Sequence, residues 1–598
     1  MAKNKRTKKR KSRTATHGES GKSQDKTVAW KKNPDESRFP AALRETIESI
    51  VIAFVLAFLF RTFEAEAFVI PTGSMAPTLM GRHKDLECPK CGYPYQVGAS
   101  DEVFPNTGTL RGPAHAVVSG ICPMCRYRAD IGSGNPRNEE YKSYNGDRIL
   151  VGKFDYEFSE PDRWDVMVFK YPGQSNINYV KRLVGLPNET VRITHGDVYG
   201  RAEGEEDFSI ARKPPNKQLA MMQTVYNNDF VIPEIIELGW PARWQPMESS
   251  TGSSSAEWIT SDDYRSFSVD GSTNEEVWLR YQHFVPSTTD WLYISRGDIT
   301  SRNPRPQLIT DFCAYNTGEN EAVLASGVTY QGGVYLHWVG DLAVQCTMEV
   351  NSPAGEIVFE LVEGGRAMQC RINVASGTAA LSISGLDSYN PTGITPIRGK
   401  GRCNVMFANI DDQLRLWING KIIEFDKPTT YPPLENNQPT MVDLSPVGVG
   451  SRGAAVRISH LNILRDVYYI AERSAQHLIN SGRTYSGGAR EFGVPLNVAG
   501  NEKASGVLTH PERWGAANST NAVEFDLDSE QYLMLGDNSA RSSDSRLWEQ
   551  KGFEYYVSRE LLIGKALYIY WPHSWDKLPG TNIPFPYFPN IQRMGLVR

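Results

Sequence analysis

The first 40 or so positions are polar and basic, and then the pattern changes abruptly. Residues 49–60 (Ser-Ile-Val-Ile-Ala-Phe-Val-Leu-Ala-Phe-Leu-Phe) carry no charge. The tail before them has too few apolar side chains to offset its ordering entropy and reads as disordered. The uncharged run has 12 residues, fewer than the roughly 20 that span a bilayer. With flanks 43–47 and 62–63 it predicts an uncleaved transmembrane anchor. A buried core helix and a cleavable signal segment compete with that reading. The second draws on the small-x-small triplet Ala65-Glu66-Ala67. The basic side comes first, so the positive-inside rule places the N-terminus in the cytoplasm and the remainder outside.

Beyond residue 146 the texture is that of short β-strands. Residues 147–151 and 165–169 are β-rich runs bounded by turn formers. In 178–187 (Asn-Tyr-Val-Lys-Arg-Leu-Val-Gly-Leu-Pro) a lysine, Lys181, sits inside an apolar strand. From about 240 to 480, aromatic and β-branched residues alternate with frequent turns, and no long helical period is present. Residues 413–425 read as a hairpin closed by Asn419-Gly420, with Leu414, Leu416 and Ile418 on one face. Repeated hairpins of this kind predict a β-sandwich. The Gly/Ser-rich 250–255 and the polar 481–520 mark its borders. Residues 532–546 run from an apolar strand into Gly536-Asp537-Asn538 and a stretch dense in hydroxyls, carboxylates and arginines. One more strand follows at 563–570.

Composition adds limits. At 598 residues the chain exceeds one ordinary core and predicts several domains. A net charge of -5 does not suggest a nucleic-acid partner. Of eight cysteines, four form two Cys-x-x-Cys pairs, Cys88/Cys91 and Cys122/Cys125. Each pair supplies two sulfurs from one tight turn, as a tetrahedral zinc requires. The spacing favours a structural zinc site, with two disulfides as the competing reading.

One decapeptide, residues 70–79 (Ile-Pro-Thr-Gly-Ser-Met-Ala-Pro-Thr-Leu), follows the apolar run closely. Its prolines keep it out of a helix, and Gly73 allows a tight turn before Ser74. It predicts a rigid, extended loop that presents one hydroxyl near a membrane surface, although an ordinary turn would use the same residue types. Lys181 has the same ambiguity. A solvated strand lysine is the common case, but a lysine held in an apolar site loses proton affinity and becomes a base. Ten histidines occur and none sits in a motif that pairs with Ser74. A serine with a lysine base is an established alternative to the Ser-His-Asp triad.

The segments 68–79, 146–153, 165–169, 179–187 and 536–546, in that order, resemble the bacterial type I signal peptidases. The departures are a cysteine-bearing segment at about 82–145, the β-rich middle segment, Thr72 where many members carry serine, and the altered Ser539-Ala540-Arg541. The middle segment has a modest likeness to concanavalin- and laminin-G-type jelly rolls. The resemblance implies a mainly β fold: a signal-peptidase-type catalytic body behind one N-terminal transmembrane helix, with an inserted β-sandwich. The implied layout is a basic tail (1–42), an anchor (43–63), catalytic parts (64–81, 146–235, 520–598), a zinc-ribbon-like insertion (82–145) and a sandwich insertion (240–480).

The resemblance further implies that Ser74 is the nucleophile and Lys181 its base. The Thr72 hydroxyl and the Ser74 amide would form the oxyanion hole, and Ser542 would orient the lysine. Arg182, Asp537, Asp544 and Arg546 would be supporting ion pairs. Phe68, Ile70, Leu79, Tyr179 and Val180 would line shallow pockets for small residues at −1 and −3 of a signal peptide. No cofactor is implied for catalysis. The implied partners are signal peptides of exported preproteins and the lipid bilayer, with a carbohydrate or protein ligand for the sandwich. The implied place is the inner membrane, single-pass. The rival reading is a cell-surface binding protein, lectin-like sandwich and zinc ribbon, on an inactive peptidase scaffold.

Overall fold

The computed structural model describes residues 38–59, 65–104, 107–132, 141–247, 257–321, 335–434, 438–473, 494–495, 506–514, 522–578 and 583–598. The basic tail 1–37, the Gly/Ser-rich border 250–255 and much of 481–520 lie outside the described residues. The chain divides into two units, residues 1–60 and residues 61–598. The first contains one helix, α1 (Arg38–Leu59). Leu43, Ile47, Ile50, Val51, Ile52, Phe54 and Val55 are exposed on it. Charged Arg44, Glu45 and Glu48 interrupt its first half. Among the described residues, no helix is long and apolar enough to cross a membrane.

The second unit is built on β-sheets. Its central sheet takes strands from both ends of the chain: β1 (Ala65–Val69), β2 (Arg148–Gly152), β3 (Val166–Tyr171), β4 (Gln174–Gly185), β5 (Gln531–Leu535), β6 (Val557–Ser558) and β7 (Leu562–Trp571). The described order is β1-β2-β7-β3-β4-β5-β6, with Gly595–Leu596 added along β7. β4 has two characters. Its polar first half is exposed, whereas Lys181 to Gly185 is buried between β3 and β5. The register sets Lys181 opposite Met167, and Arg182 opposite both Val166 and Leu535. A smaller sheet, with Glu189–Thr194 between Asp197–Ala202 and Val523–Leu527, packs Val191, Ile193 and Phe525 against Trp164, Val184 and Leu535.

The middle of the chain forms two antiparallel sheets that share one core. One contains Ser266–Val269, Val456–Arg465, Leu342–Val350, Gly401–Asn409 and Leu414–Ile418. The other contains Val277–Tyr281, Val447–Arg452, Glu356–Glu363, Arg366–Asn373 and Thr378–Ile383. Alternating side chains such as Val344, Met348, Phe359, Leu361 and Phe407 fill the space between them, as a two-layer β architecture requires. Asn419 and Gly420 both take positive φ, which gives the twist a two-residue hairpin needs. The sandwich strands begin earlier than composition indicates, because Gln223–Asn227 pairs with Val456–Arg465. They also end earlier, since Val467, Tyr469 and Ala471 already pack in the core of the smaller sheet.

Candidate active site

Residues 70–79 reach their position through their apolar members. Ile70, Met75 and Leu79 are buried with Ile149, Val151, Val166 and Val168. Between these anchors Gly73–Met75 makes a single 3-10 turn. The stretch is therefore not wholly extended, as its prolines suggest; one tight turn lifts Ser74 off the core. The Gly536-Asp537-Asn538 loop at the end of β5 holds that turn from the other side. The Asn538 amide donates to Ser74 O at 3.1 Å, and Asn538 Nδ2 donates to Gly73 O at 2.9 Å. Gly536 is required here, because a Cβ would run into Ser74 O and the Ser542 side chain.

Lys181 projects from β4 to the same point. Its Nζ donates to Ser74 Oγ at 2.6 Å and to Val180 O at 3.1 Å. The side chain lies over the Tyr179 ring, with Nζ 5.3 Å from the centroid, and the residue is 4% exposed. Burial lowers its pKa to about 8, against the pull of Asp544 and Asp537. That pull is weak because each carboxylate is already occupied. Arg182 holds Asp537 through two 2.7 Å hydrogen bonds, and both side chains are fully buried. Arg546 holds Asp544 through two of 2.8 Å. Thr78 Oγ1 adds a 2.5 Å bond to Asp537, and the Gly536 amide a 3.0 Å bond to Asp544. Arg182 and Arg546 thus confine the nearby negative charge, and the amine next to them stays easy to deprotonate.

The remaining sequence candidates divide. Thr72 precedes the Ser74 turn and lines the same cleft of about 290 Å³. Ser542 is buried behind Gly536, and its hydroxyl makes no hydrogen bond to Lys181. Ile70 and Leu79 are core residues, 3% and 0% exposed. Phe68 and Val180 pack against that core, and Tyr179 stacks on Tyr171 at 4.5 Å. None of these five lines the cleft, whose walls come largely from two other segments, Gly98, Ser100 and His115 in one and Tyr315, Asn316 and Asn320 in the other.

Tyr315 and Asn316 are the residues that sequence reasoning missed. The Tyr315 ring covers Gly73 so closely that a Cβ there would collide with it, and its hydroxyl donates to Arg82 O at 3.0 Å. Asn316 and Asn538 exchange two amide hydrogen bonds of 2.8 Å. Cys313-Ala-Tyr-Asn-Thr-Gly reads locally as an ordinary turn, and no signal in it points to Ser74, more than 200 residues earlier.

The four N-terminal cysteines come together. Their sulfurs lie within 4.8 Å of one another, with Cys88–Cys125 and Cys91–Cys122 at 3.5 Å. None is disulfide-bonded; a disulfide requires about 2.05 Å, whereas tetrahedral zinc sets its sulfurs about 3.8 Å apart. The two knuckles are built alike. The Cys88 amide bonds Tyr93 O and the Gly92 amide bonds Cys88 O; the Cys122 amide bonds Tyr127 O and the Arg126 amide bonds Cys122 O. Gly92 and Arg126 both take positive φ to close the turn. These four thiols fit a structural zinc, which would cross-link the knuckles and take no part in chemistry at Ser74.

With this geometry in place, similarity to known proteins can be read onto it. The family model "Signal peptidase, peptidase S26" matches residues 134–234 and 482–571. These parts of the chain are similar to the type I signal peptidases. The matched residues include Lys181, Asp537, Asp544 and Arg546 but stop short of Ser74. Signal peptidase I of Pseudomonas aeruginosa is 51% identical over 61 residues, 8% of this chain and 22% of that protein. Signal peptidase I of Leptolyngbya laminosa is 28% identical over 184 residues, 29% of this chain and 58% of that protein. The chain thus spans between about a fifth and somewhat over half of these relatives. A carbohydrate-binding module from Bacillus subtilis aligns with 37% of this chain and 95% of its own, at 5% identity and a TM-score of 0.21.

Proposed function

We propose that the chain is a membrane-anchored serine endopeptidase that removes N-terminal signal peptides after small-x-small sites. The observation that carries this is the 2.6 Å contact between Lys181 Nζ and Ser74 Oγ, in a site where burial brings the amine to a pKa of about 8. Neutral Lys181 takes the Ser74 proton as Oγ attacks the scissile carbonyl, and the ammonium then protonates the leaving amine. Thr72 and the Ser74 amide receive the developing oxyanion; one such donor is worth about 3 kcal/mol of barrier. Ser542 acts on the lysine indirectly, through the packing of Gly536 and Asp544. The −1 and −3 side chains of the substrate lie along Phe68 and Val180 at the edge of the apolar core, while the 290 Å³ cleft takes the other side of the scissile bond.

The anchor is part of the proposal. Residues 43–63, which include most of α1, hold the catalytic unit at the extracytoplasmic face of the inner membrane with the basic tail inside. Cleavage of a purified exported precursor with alanine at −1 and −3 tests the reading. Wild-type protein yields the mature N-terminus and Ser74→Ala yields none. Cleavage that survives Ser74→Ala would remove Ser74 from the mechanism.

A further inference from the structure

A small cavity of about 50 Å³ lies between the smaller sheet of the catalytic body and the sandwich. Asp197, Asp341, Glu363, Asp412 and Asp466 line it. Asp197 begins the strand Asp197–Ala202 of the body. Asp341 precedes the sandwich strand Leu342–Val350, and Asp411 and Asp412 follow Gly401–Asn409. Oxygens of Asp197, Asp341 and Asp411 lie within 4.8 Å of one another. Asp341 Oδ2 accepts the Asp411 amide at 3.0 Å.

Lys213 Nζ meets Asp411 at 2.6 Å and Asp466 Oδ2 at 2.7 Å. Asp466 is 2% exposed, and its second oxygen, Oδ1, has no hydrogen-bond partner among the described residues although the residue lines the cavity. A buried carboxylate oxygen left in that state is costly unless a further partner occupies the space. Arg212 faces Asp412 and Arg465 faces Asp466. Three cations thus stand against six carboxylates.

We propose that this cavity binds a calcium-sized divalent cation, held by carboxylate oxygens of Asp197, Asp341 and Asp411 with the unpartnered Asp466 oxygen and Glu363 beside it, and that the ion clamps the sandwich to the catalytic body. Calcium takes six to eight oxygen ligands at about 2.4 Å, so oxygens on one ion lie no more than about 4.8 Å apart. The three-aspartate cluster meets that limit. The donors are all oxygen, which excludes the thiolate chemistry of the cysteine site. Protonation is the alternative relief. Burial and mutual repulsion push Glu363 up to about 7 and Asp412 to about 6, and hold Asp197 and Asp341 well above the usual carboxylate range. A cation would reverse those shifts.

The test uses the detergent-solubilised full chain with its zinc content verified, dialysed free of calcium and titrated calorimetrically with calcium chloride, magnesium chloride serving as the control. The expected result is one calcium bound per chain and a melting midpoint raised by a few degrees. Asp341→Asn and Asp197→Asn should each weaken calcium binding about 10-fold or more. They should keep the zinc and melt no lower than calcium-free wild type, because each removes a repelling charge. That last measurement separates a lost ligand from a misfolded chain. Absence of calcium binding, or equal binding in both variants, overturns the proposal. So does a stability that responds to pH across 6–7 but not to calcium, which would assign the relief to protons.

Discussion

Two lysines in this molecule are almost equally buried and have opposite fates. Lys181 is 4% exposed and Lys213 is 3% exposed. Lys181 touches a hydroxyl and a backbone carbonyl, and its pKa falls to about 8. Lys213 lies between Asp411 and Asp466, and its pKa is raised well above the ordinary lysine value despite the same desolvation. Burial alone therefore does not decide whether a lysine is a base or a strut. The difference lies in what happens to the neighbouring carboxylates. Around Lys181 they are taken by Arg182 and Arg546, whereas around Lys213 they outnumber the cations.

The largest effect should separate the two in chemistry. Lys181→Met should lower the rate of precursor cleavage by about 10⁴-fold, about 5.4 kcal/mol of barrier, while the chain stays folded. Steady-state cleavage with a circular-dichroism control measures it. Residual activity within tenfold of wild type would mean that some other group takes the Ser74 proton.

Stability should separate them in the other direction. Lys213→Met leaves Asp411 and Asp466 buried without their cation and should cost about 3–5 kcal/mol in denaturant unfolding. Lys181→Met should stabilise. Its folded pKa of about 8 lies below the unfolded value of about 10.4, so the unfolded chain binds more protons between these limits. The penalty is complete below pH 8 and vanishes above about 10.4, and removing the amine should gain up to about 3 kcal/mol at pH 7. The same pKa sets the rate. Cleavage kcat/KM should fall about tenfold per unit of pH below 8, as the neutral amine is titrated away. A profile flat down to pH 5 would contradict a neutral-lysine base.

How much of this was legible in the sequence depends on the range of the signal. The hairpin at Asn419-Gly420 and the buried half of β4 follow from local turn chemistry and apolar runs. Arg182, Asp537, Asp544 and Arg546 could be named as ion-pair residues only through family resemblance, and their pairing, Arg182 with Asp537 and Arg546 with Asp544, came from the structure, because the local pattern of strands and loops is silent about partners. Ile70 and Leu79 were expected in substrate pockets and are instead among the anchors that fix the Ser74 turn. Alternation marks such residues as buried but not against what. The wall supplied by Tyr315 and Asn316 and the carboxylate cavity depend on two separately encoded segments that meet, and neither segment carries a mark of the other.

The smallest effect tests whether the partner hydroxyl of Lys181 is held as firmly as the carboxylates of Lys213. Ser74 depends on a chain of hydrogen bonds, from its own carbonyl and Gly73 O to Asn538 and from Asn538 to Asn316. Asn316→Ala removes the last link and leaves the Asn538 side-chain carbonyl without its donor. A buried polar group so stranded costs about 1–3 kcal/mol. Part of that cost appears as freedom of the Gly73–Met75 turn, so the near-attack geometry of Ser74 is populated less often. We expect kcat for precursor cleavage to fall about tenfold with KM nearly unchanged, because Asn316 positions the nucleophile through Asn538. Lys421→Ala, on an exposed hairpin of the sandwich, should leave both constants as they are. Equal effects from the two substitutions would mean that Asn316 acts on Ser74 only by overall stability, and that the hydroxyl, unlike the carboxylates around Lys213, needs no dedicated support from the 314–317 turn.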